Sequence, residues 1–382
     1  MPDSLIYHAD CRHFRGDIPC VPNKREGVHC DGCPYYDAVT ENILIIKLGA
    51  AGDVLRTTPI LTPLKKQHPN ARIWWLTHSP DLVPKSHVDR ILKWNSESLE
   101  TLRAVRFSRL INLDKDHYAA GFATTLTADK KDGFLLDSLG VSAPANDLAK
   151  EKFHTGIFDD VSIANRKDFQ TELFTICGYQ YAGEEYIIDV PKPLEFAALD
   201  RSRPIAGLNT GAGARWTSRL WPVERWTALA NAILDSGRNV LLLGGPDEDE
   251  RNREIHEKTH GRAQYLGYFH LSEFIALMDA CELVVSGVTM GMHIAMALKK
   301  KLVLMNNIFN PYEFADLFGL GEIVQPDKQC KCFFRGHCIN PDYFCLDSLS
   351  VEKMFNATER VWSTPRGQMT QEPVVVPGMI LS

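Results

Sequence analysis

The sequence predicts an α/β protein built from two units, each with a parallel β-sheet covered by helices. Short apolar runs alternate with amphipathic ones along most of the chain, which is the pattern of a repeated strand, loop and helix. Strands that are apolar on both faces are typical of parallel sheets buried between helices. A proline-rich segment at about 189–204 separates two series of such runs and predicts a linker between the units.

The predicted strands, taken in order, define the two units. The first half contains strands at 42–48, 72–77 and 109–114, and the second half contains strands at 204–209, 239–244, 282–287 and 301–306. Open α/β sheets usually bind ligands at the carboxyl ends of their strands, so we expect a site in a cleft between the two sheets. Residues 348–362 predict one amphipathic helix with Ser350 as its N-cap, followed by a loose tail.

Composition excludes several classes of protein. The chain has 382 residues, 42 Lys plus Arg against 48 Asp plus Glu, and 45% hydrophobic residues. This length fits about two or three domains, and the mild acidity disfavours nucleic acid as the main partner. There is no apolar run of the roughly 18 to 20 residues that a membrane span needs, and no secretory signal, so we expect a cytoplasmic protein.

Ten cysteines fall into two clusters of four and one dispersed pair. The first cluster comprises Cys11, Cys20, Cys30 and Cys33, and the second comprises Cys330, Cys332, Cys338 and Cys345. Disulfides are not expected in a reducing cytoplasm. Cys177 and Cys281 lie in apolar segments, which predicts that they are core residues.

Each cysteine cluster supplies the four thiolates of a closed structural metal site. Cys30 and Cys33 form a knuckle, in which two thiolates three positions apart share one tetrahedral ion. Zinc and iron both suit such ligands, as does an iron-sulfur cluster, and the neighbouring His8, His13, His29 and His337 are possible substitutes. Free reduced thiols are the alternative. We therefore predict a metal-binding segment at 1–40 and a cysteine finger at 328–346.

The first strand ends in a glycine-containing turn, Lys47-Leu48-Gly49-Ala50-Ala51-Gly52-Asp53, that leads into a helix. The turn matches neither the Walker lysine pattern nor the full GxGxxG spacing. Asp53 therefore has two interpretations: a helix N-cap, or a general base on the floor of the cleft.

Three turns in the second half resemble phosphate or ribose contacts. Asn209 to Arg219 combines small residues with Arg215 and Arg219 before Trp221-Pro222, which is a plausible diphosphate cradle. Gly244-Gly245-Pro246-Asp247-Glu248 follows a strand, where an acid can bind a ribose diol or simply favour a helix start. Thr289 can cap the helix that carries His293, and a lone histidine there is usually structural.

Four ordered motifs resemble glycosyltransferase family 9, the bacterial heptosyltransferases. They are ILIIKLGAAGDVLRTTPIL, GLNTGAGARWTSRLWPVERW, LLLGGPDEDE and SGVTMGMHIAMALKKKLV, and the resemblance spans 42 to about 360. It implies the GT-B fold, in which two Rossmann-like domains face each other across a cleft. The domains would then be an acceptor domain at 41–200, a nucleotide-sugar domain at 201–345, and a C-terminal helix and tail at 346–382.

The resemblance also implies roles for individual residues. Asp53 matches the catalytic carboxylate, Arg219 stands where the family usually has Lys beside the donor phosphates, and Glu248 matches the acid that binds the donor ribose. The family typically has Asp where this chain has Val288. The implied donor-binding residues are Gly52, Gly211, Gly213, Arg215, Arg219, Glu248, Phe269, Thr289, Gly291 and His293.

The implied reaction is transfer of heptose from ADP-heptose, with inversion, to a hydroxyl of a lipopolysaccharide core sugar or of a protein Ser or Thr. A normal carboxylate is too weak to ionise an alcohol beforehand, so Asp53 would take the proton as the oxygen attacks. Arginine and main-chain amides would stabilise the departing ADP, with no divalent cation required. Peripheral membrane contact is compatible with a lipopolysaccharide acceptor.

Other interpretations stay open at this point. Asp114-Lys115-Asp116 and Asp247-Glu248-Asp249 fit the short Asp-x-Asp pattern of metal-dependent GT-A transferases. A metal-stapled nucleotide-binding protein with impaired catalysis and a GT-B sugar-nucleotide epimerase are further alternatives. The second cysteine cluster resembles the iron-holding finger of the autotransporter heptosyltransferase subgroup, whose members form homo-oligomers.

Overall fold

The structure is a computed structural model that describes residues 6–190, 196–213, 216–314, 317–328 and 330–369. The chain divides into two compact units. The first unit comprises Met1–Gly49, Ile60–Ala149 and Ile176–Tyr179, and the second comprises Ala50–Pro59, Lys150–Thr175 and Gln180–Ser382. This division differs from the predicted boundary near residue 200, because residues 50–59 and 150–175 make most of their contacts with the second half of the chain.

The helices and strands alternate along the chain. The strands are β1 (Glu41–Ile46), β2 (Ala71–Thr77), β3 (Arg90–Lys93), β4 (Phe107–Asn112), β5 (Ala128–Leu136), β6 (Ser142–Pro144), β7 (Ile205–Asn209), β8 (Asn239–Leu243), β9 (Leu283–Gly287), β10 (Lys301–Met305) and β11 (Gly321–Val324). The helices are α1 (Val21–Glu26), α2 (Ala51–Thr57), α3 (Leu61–Gln67), α4 (Ser96–Arg103), α5 (His117–Thr125), α6 (Lys150–His154), α7 (Asp159–Ala164), α8 (Phe169–Ile176), α9 (Val223–Asp235), α10 (Asp249–Lys258), α11 (Leu271–Asp279), α12 (Met290–Ala297) and α13 (Val351–Ser363).

Each unit contains one sheet, as the α/β prediction requires. In the first unit the strand order is β3-β2-β1-β4-β5-β6, with every pair parallel except the antiparallel β5–β6 pair. The second sheet has the order β11-β10-β9-β7-β8 and is parallel throughout. All seven predicted strands are present, and the α/β prediction is confirmed.

Four strands escaped prediction. Strands β3, β6 and β11 have only three or four residues, which is too short to show a periodic pattern. Strand β5 begins with the polar run Ala-Asp-Lys-Lys-Asp, whose side chains are mostly exposed or half-buried. The parallel neighbour β4 supplies the hydrogen bonds that make this polar segment a strand.

The two dispersed cysteines are core residues, as predicted. Cys177 and Cys281 are 1% and 2% exposed, and burial raises the pKa of each thiol to about 12. Neither side chain is therefore a reactive thiolate at neutral pH.

The C-terminal helix begins where the sequence predicts. The Ser350 hydroxyl accepts a hydrogen bond from the main-chain N–H of Lys353 at 3.1 Å, which confirms Ser350 as the N-cap of α13. The predicted loose tail falls at 364–382, of which 370–382 lie outside the described residues. Within the described ranges, no helix combines the length and the apolar character needed to cross a bilayer.

Candidate active site

A cavity of about 660 Å³ lies in the second unit, at the carboxyl ends of β7, β8 and β9. The start of α2 and the start of α12 contribute further walls. Ten of the eleven residues predicted for the site line it: Gly52, Asp53, Gly211, Gly213, Arg219, Glu248, Phe269, Thr289, Gly291 and His293. Arg215, the eleventh, lies outside the described residues. The structure thus gathers the predicted residues around one cavity, while their roles stay predictions.

Asp53 is the third residue of α2 and is not its N-cap. Ala50 occupies the N-cap position, with extended backbone angles (φ −65°, ψ 168°), so the capping interpretation of Asp53 is wrong. The Asp53 side chain is 37% exposed and faces the cavity, with Oδ1 at 3.4 Å from Nη1 of Arg56. A carboxylate that is partly hydrated and lies beside a fixed cation is well placed to accept a proton from a bound molecule.

Arg56 is a site residue that the sequence analysis did not single out. Its guanidinium is buried, and both Nη atoms lie 3.1 Å from Oε1 of Glu313. The guanidinium also stacks 3.3 Å from the ring centroid of Phe169. Burial opposes the charge on Arg56, but Glu313 and Asp53 outweigh it and raise the pKa. The spacing of Asp53 and Arg56 by three positions on a helix was the available signal.

Arg219 brings a partly buried positive charge to the cavity. Its Nη atoms donate to the main-chain carbonyls of Val288 and of Ala212, the latter at 3.1 Å. The guanidinium lies over the rings of Trp216 and Phe309, at 4.8 and 5.2 Å from their centroids. Among the described residues, Arg219 makes no ion pair and its Nε has no hydrogen-bond partner. Burial without a carboxylate lowers the pKa of Arg219 to about 10.

The turn that carries Arg219 is held by the second cysteine segment. The Ser218 hydroxyl donates to the carbonyl of Arg335 at 2.7 Å, and the Ser218 main-chain N–H donates to the carbonyl of Gly336 at 3.0 Å. Asn307 links the two segments, since its Nδ2 donates to the Ser218 carbonyl at 2.9 Å and lies 3.5 Å from Sγ of Cys345. The position of the Arg219 turn therefore depends on residues 335–345.

Glu248 packs directly on the glycine turn after β7. A Cβ atom at Gly211 would lie 2.0 Å from Oε1 of Glu248, so a larger residue there would require the Glu248 side chain to move. Oε2 of Glu248 accepts a hydrogen bond from the Gly245 N–H at 2.9 Å, which fixes the carboxylate at the cavity wall. Phe269 lines the same cavity and makes an edge contact with Phe196, with ring centroids 5.5 Å apart.

His293 is buried and packs beneath the α2 turn. A Cβ atom at Gly52 would lie 2.5 Å from Cδ2 of His293, so the ring occupies the space that this glycine leaves. Nδ1 of His293 lies 3.3 Å from the hydroxyl of Tyr186. Burial, together with the nearby positive charge of Arg56, lowers the pKa of His293 to about 3. The imidazole is therefore neutral at physiological pH, which fits a packing role.

Thr289 occupies the N-cap position of α12 as predicted, but its side chain does not cap the helix. The Thr289 hydroxyl accepts a hydrogen bond from Nδ2 of Asn209 at 2.9 Å, and the same amide donates to Ser286 at 2.9 Å. A Cβ atom at Gly291 would lie 2.7 Å from this Asn209 amide. Asn209 thus joins the end of β7 to the start of α12.

In each Asp-x-Asp segment, one of the two aspartates is engaged by another side chain. Asp114 is buried in the first unit, where it pairs with Lys47 Nζ at 2.5 Å and accepts from the Leu48 N–H. Its neighbour Asp116 is exposed to solvent. In the other segment, Glu248 lies on the Gly211 turn and Asp249 accepts from the hydroxyl of Tyr265 at 2.7 Å. The geometry therefore disfavours the GT-A interpretation.

All ten cysteines are free thiols. In the second cluster, Cys330, Cys332 and Cys345 are buried, and the sulfur atoms of Cys332 and Cys338 lie 3.7 Å apart. Hydrogen bonding from Cys330 lowers the pKa of Cys345 to about 7. Across the described parts of the chain, no three or more His, Cys, Asp or Glu side chains stand at ligating geometry around one point.

Comparison with known proteins gives one family. The family model described as "Glycosyltransferase family 9 (heptosyltransferase)" matches residues 97–340. Lipopolysaccharide heptosyltransferase 1 of Escherichia coli K12 is 24% identical over 239 residues, which cover 56% of this chain and 72% of that protein.

Two solved structures share the fold. The E. coli heptosyltransferase WaaC with ADP has a TM-score of 0.60 at 17% identity, covering 84% of this chain and 99% of that one. TibC of enterotoxigenic E. coli H10407, an iron-containing dodecameric heptosyltransferase solved with ADP-D-β-D-heptose, has a TM-score of 0.53 at 11% identity. It covers 84% of this chain and 76% of its own. These likenesses show that the chain has the GT-B fold of the heptosyltransferases.

Proposed function

The chain belongs to glycosyltransferase family 9, the heptosyltransferases, and from this premise we propose that it transfers heptose from ADP-heptose to an acceptor hydroxyl with inversion. Arg219 carries the proposal. A guanidinium that is partly buried at a cavity without a paired carboxylate in the described chain favours an anion beside it, because desolvation makes the uncompensated charge costly. A nucleoside diphosphate supplies that negative charge, and WaaC and TibC were solved with ADP and with ADP-heptose, respectively.

The remaining donor contacts follow from the cavity walls. Glu248 would accept hydrogen bonds from the ribose diol, while Phe269 would lie beside the adenine. The main-chain amides at the start of α12 would contribute to phosphate binding, with Thr289 and Asn209 holding that turn. Val288 stands where the family usually has Asp. Because an apolar side chain at this position cannot pair with Arg219, the guanidinium would be available to the donor phosphates.

Asp53 would act as the base. As the acceptor oxygen attacks the anomeric carbon, its proton passes to the Asp53 carboxylate and the bond to the ADP oxygen breaks. Arg219 and the α12 amides would stabilise the negative charge that develops on ADP. Arg56 would orient Asp53 through the 3.4 Å contact, and Glu313 would offset the charge of Arg56. Because the chain's own cation lies at the diphosphate position, we propose that catalysis needs no divalent metal.

The acceptor that we propose is a sugar hydroxyl of a lipopolysaccharide core, the class of molecule for which the curated relative is named. A protein Ser or Thr hydroxyl is the second candidate. The cysteine segment at 330–345 favours a protein acceptor, because it resembles the iron-holding finger of the autotransporter heptosyltransferase subgroup. TibC, which shares the fold, is an iron-containing glycosyltransferase. Ten free thiols are consistent with a reducing cytoplasm, where we place the reaction.

We propose that Cys330, Cys332, Cys338 and Cys345 hold one structural metal ion. Their thiolates suit iron or zinc, and the sulfur atoms of Cys332 and Cys338 already lie 3.7 Å apart. The ion would stabilise the segment whose Arg335 and Gly336 carbonyls hold Ser218. Its contribution would be structural: it would fix the turn that positions Arg219 and take no part in the chemistry.

Turnover of ADP-heptose tests the proposed function. Purified protein should release ADP only when an acceptor is present, without added Mg²⁺ or Mn²⁺, and NMR should show an inverted anomeric carbon in the product. Heptose-free lipopolysaccharide core and a Ser/Thr-rich peptide serve as parallel acceptors. ADP release that ignores both acceptors, or a product with a retained anomeric configuration, would contradict the proposal.

A further inference from the structure

We propose that Cys11, Cys20, Cys30 and Cys33 bind one tetrahedrally coordinated metal ion in the N-terminal segment. All four line a single cavity of about 30 Å³ in the first unit. The cavity is separate from the site described above, and no residue lines both. Four thiolates around one space are the ligand set of a closed structural zinc or iron site.

The fold brings the four cysteines together from three separate local structures. Cys11 forms an antiparallel bridge with Ala38, and Cys20 stands at the N-cap position of α1. Cys30 and Cys33 are the two ends of a tight turn, in which the Cys33 N–H donates to the Cys30 carbonyl at 3.3 Å. Gly32 adopts a left-handed conformation (φ 65°) that closes this turn. The Cys-x-x-Cys turn thus has the compact geometry of a metal knuckle.

The exposure of the cavity walls selects thiols over imidazoles. His8, His13 and His29 also line the cavity, but His13 and His29 are exposed to solvent. Cys11 is buried and the other three cysteines are half-buried. Apolar side chains complete the lining, with Pro22 buried among them. Partly or fully buried thiols suit a closed ion site better than the solvent-exposed imidazoles of His13 and His29.

The size of the cavity limits what it holds. A space of about 30 Å³ accommodates one water-sized particle or one ion. A single ion therefore fits this space. Acid-labile sulfide would distinguish an iron-sulfur cluster from a single ion at this site.

A structural metal ion would stabilise the N-terminal segment, which has almost no hydrophobic core of its own. Between residues 6 and 40, only Cys11 and Pro22 are buried, and the one helix, α1, has six residues. Segments this short rarely fold on apolar burial alone and commonly use a structural metal. The segment nevertheless has a defined chain path, in which Arg12 pairs with Asp37 at 2.8 Å and with Asp89 at 3.0 Å.

Binding requires only local adjustment. No three of the described thiols, imidazoles or carboxylates stand at ligating distance of a common point as the chain is placed. A thiolate ligand lies about 2.3 Å from zinc, and rotation about the one side-chain torsion of cysteine redirects its sulfur between staggered positions. All four cysteines already border the same small cavity, so rotation of their side chains is the movement that would direct the sulfur atoms toward one ion.

Elemental analysis of the wild type and three variants tests the proposal. The wild type, the variant C30S/C33S and the variant C332S/C338S are purified under reducing conditions, supplied with zinc or iron, and freed of unbound metal. We expect C30S/C33S to lose one metal equivalent per chain relative to the wild type. The C332S/C338S variant, which alters the second cysteine cluster, should keep that equivalent. C281A is the matched control, because Cys281 is buried in the core away from both clusters.

A labelling experiment on the wild type covers the case in which C30S/C33S fails to fold. Alkylation followed by peptide mapping should show Cys11, Cys20, Cys30 and Cys33 protected together, and all four should become reactive together when a chelator is added. Unchanged metal content in C30S/C33S would overturn the proposal. An alkylation rate of the four thiols that is the same with metal and with chelator would also overturn the proposal. So would iron accompanied by acid-labile sulfide at this site.

Discussion

Replacing Asp53 by Asn should lower kcat for heptose transfer by about 10²- to 10⁴-fold, the usual contribution of a positioned general base. The amide keeps the size of the side chain and can still contact Arg56, which lies 3.4 Å from Asp53. It cannot take a proton from the acceptor. The Kd for ADP should stay close to that of the wild type, because Arg219, Glu248 and the α12 turn make the donor contacts.

The control for this variant is Asp116→Asn. Asp116 is an exposed carboxylate outside the cavity and belongs to the Asp-x-Asp segment that would bind a metal in a GT-A enzyme. The turnover of the Asp116→Asn variant should match that of the wild type. Steady-state kinetics and ADP titration calorimetry on the three proteins give the comparison. Wild-type turnover in Asp53→Asn, or loss of turnover in Asp116→Asn alone, would refute the assignment of the base.

Replacing Arg219 by Gln should weaken ADP binding without weakening the fold. Loss of one partner of a desolvated charge pair costs about 2–5 kcal/mol, which corresponds to about a 30- to 4,000-fold higher Kd for ADP. In the free protein the same charge is partly buried without a carboxylate among the described residues, and burial lowers its pKa to about 10. Its removal relieves this uncompensated charge and also loses the hydrogen bonds to the carbonyls of Val288 and Ala212. These two effects oppose each other, so we expect the free energy of unfolding to change little.

Arg225→Gln provides the matched control for Arg219→Gln. Arg225 also donates to main-chain carbonyls, those of Leu346 at 2.7 Å and Leu349 at 3.1 Å, but it does not line the cavity. We expect this variant to unfold at lower denaturant concentration while it keeps its affinity for ADP. Chemical denaturation and calorimetry measure both quantities. If Arg219→Gln destabilised the protein as Arg225→Gln does and kept its ADP affinity, Arg219 would be a structural residue.

Much of the fold followed from local sequence patterns. Seven strands were predicted from long apolar runs: β1, β2, β4, β7, β8, β9 and β10. A continuous apolar run indicates a parallel strand that is buried on both faces. The glycines of the site were also predictable. Gly211 lies where the carboxylate of Glu248 approaches the backbone, and Gly52 lies where the ring of His293 does. Such close contacts leave a glycine in the sequence even when the partner is distant.

The features that escaped prediction depend on contacts between distant parts of the chain. Arg56 and Glu313 are 257 positions apart, and no sequence pattern near either residue predicts their ion pair. The same holds for Ser218, which is held by carbonyls more than a hundred residues away. Asp53 was one candidate for the N-cap of α2, because Asp is common at that position. In the structure the N-cap is Ala50, so that interpretation of Asp53 was wrong.

A crystal structure of the protein with ADP would show whether the cavity at Arg219 is the donor site. We expect ADP in the cavity at the carboxyl ends of β7, β8 and β9. Its diphosphate should accept hydrogen bonds from the Arg219 guanidinium, its ribose should contact Glu248, and its adenine should lie beside Phe269. ADP bound elsewhere, or bound in this cavity with its diphosphate away from Arg219, would refute the proposed donor site.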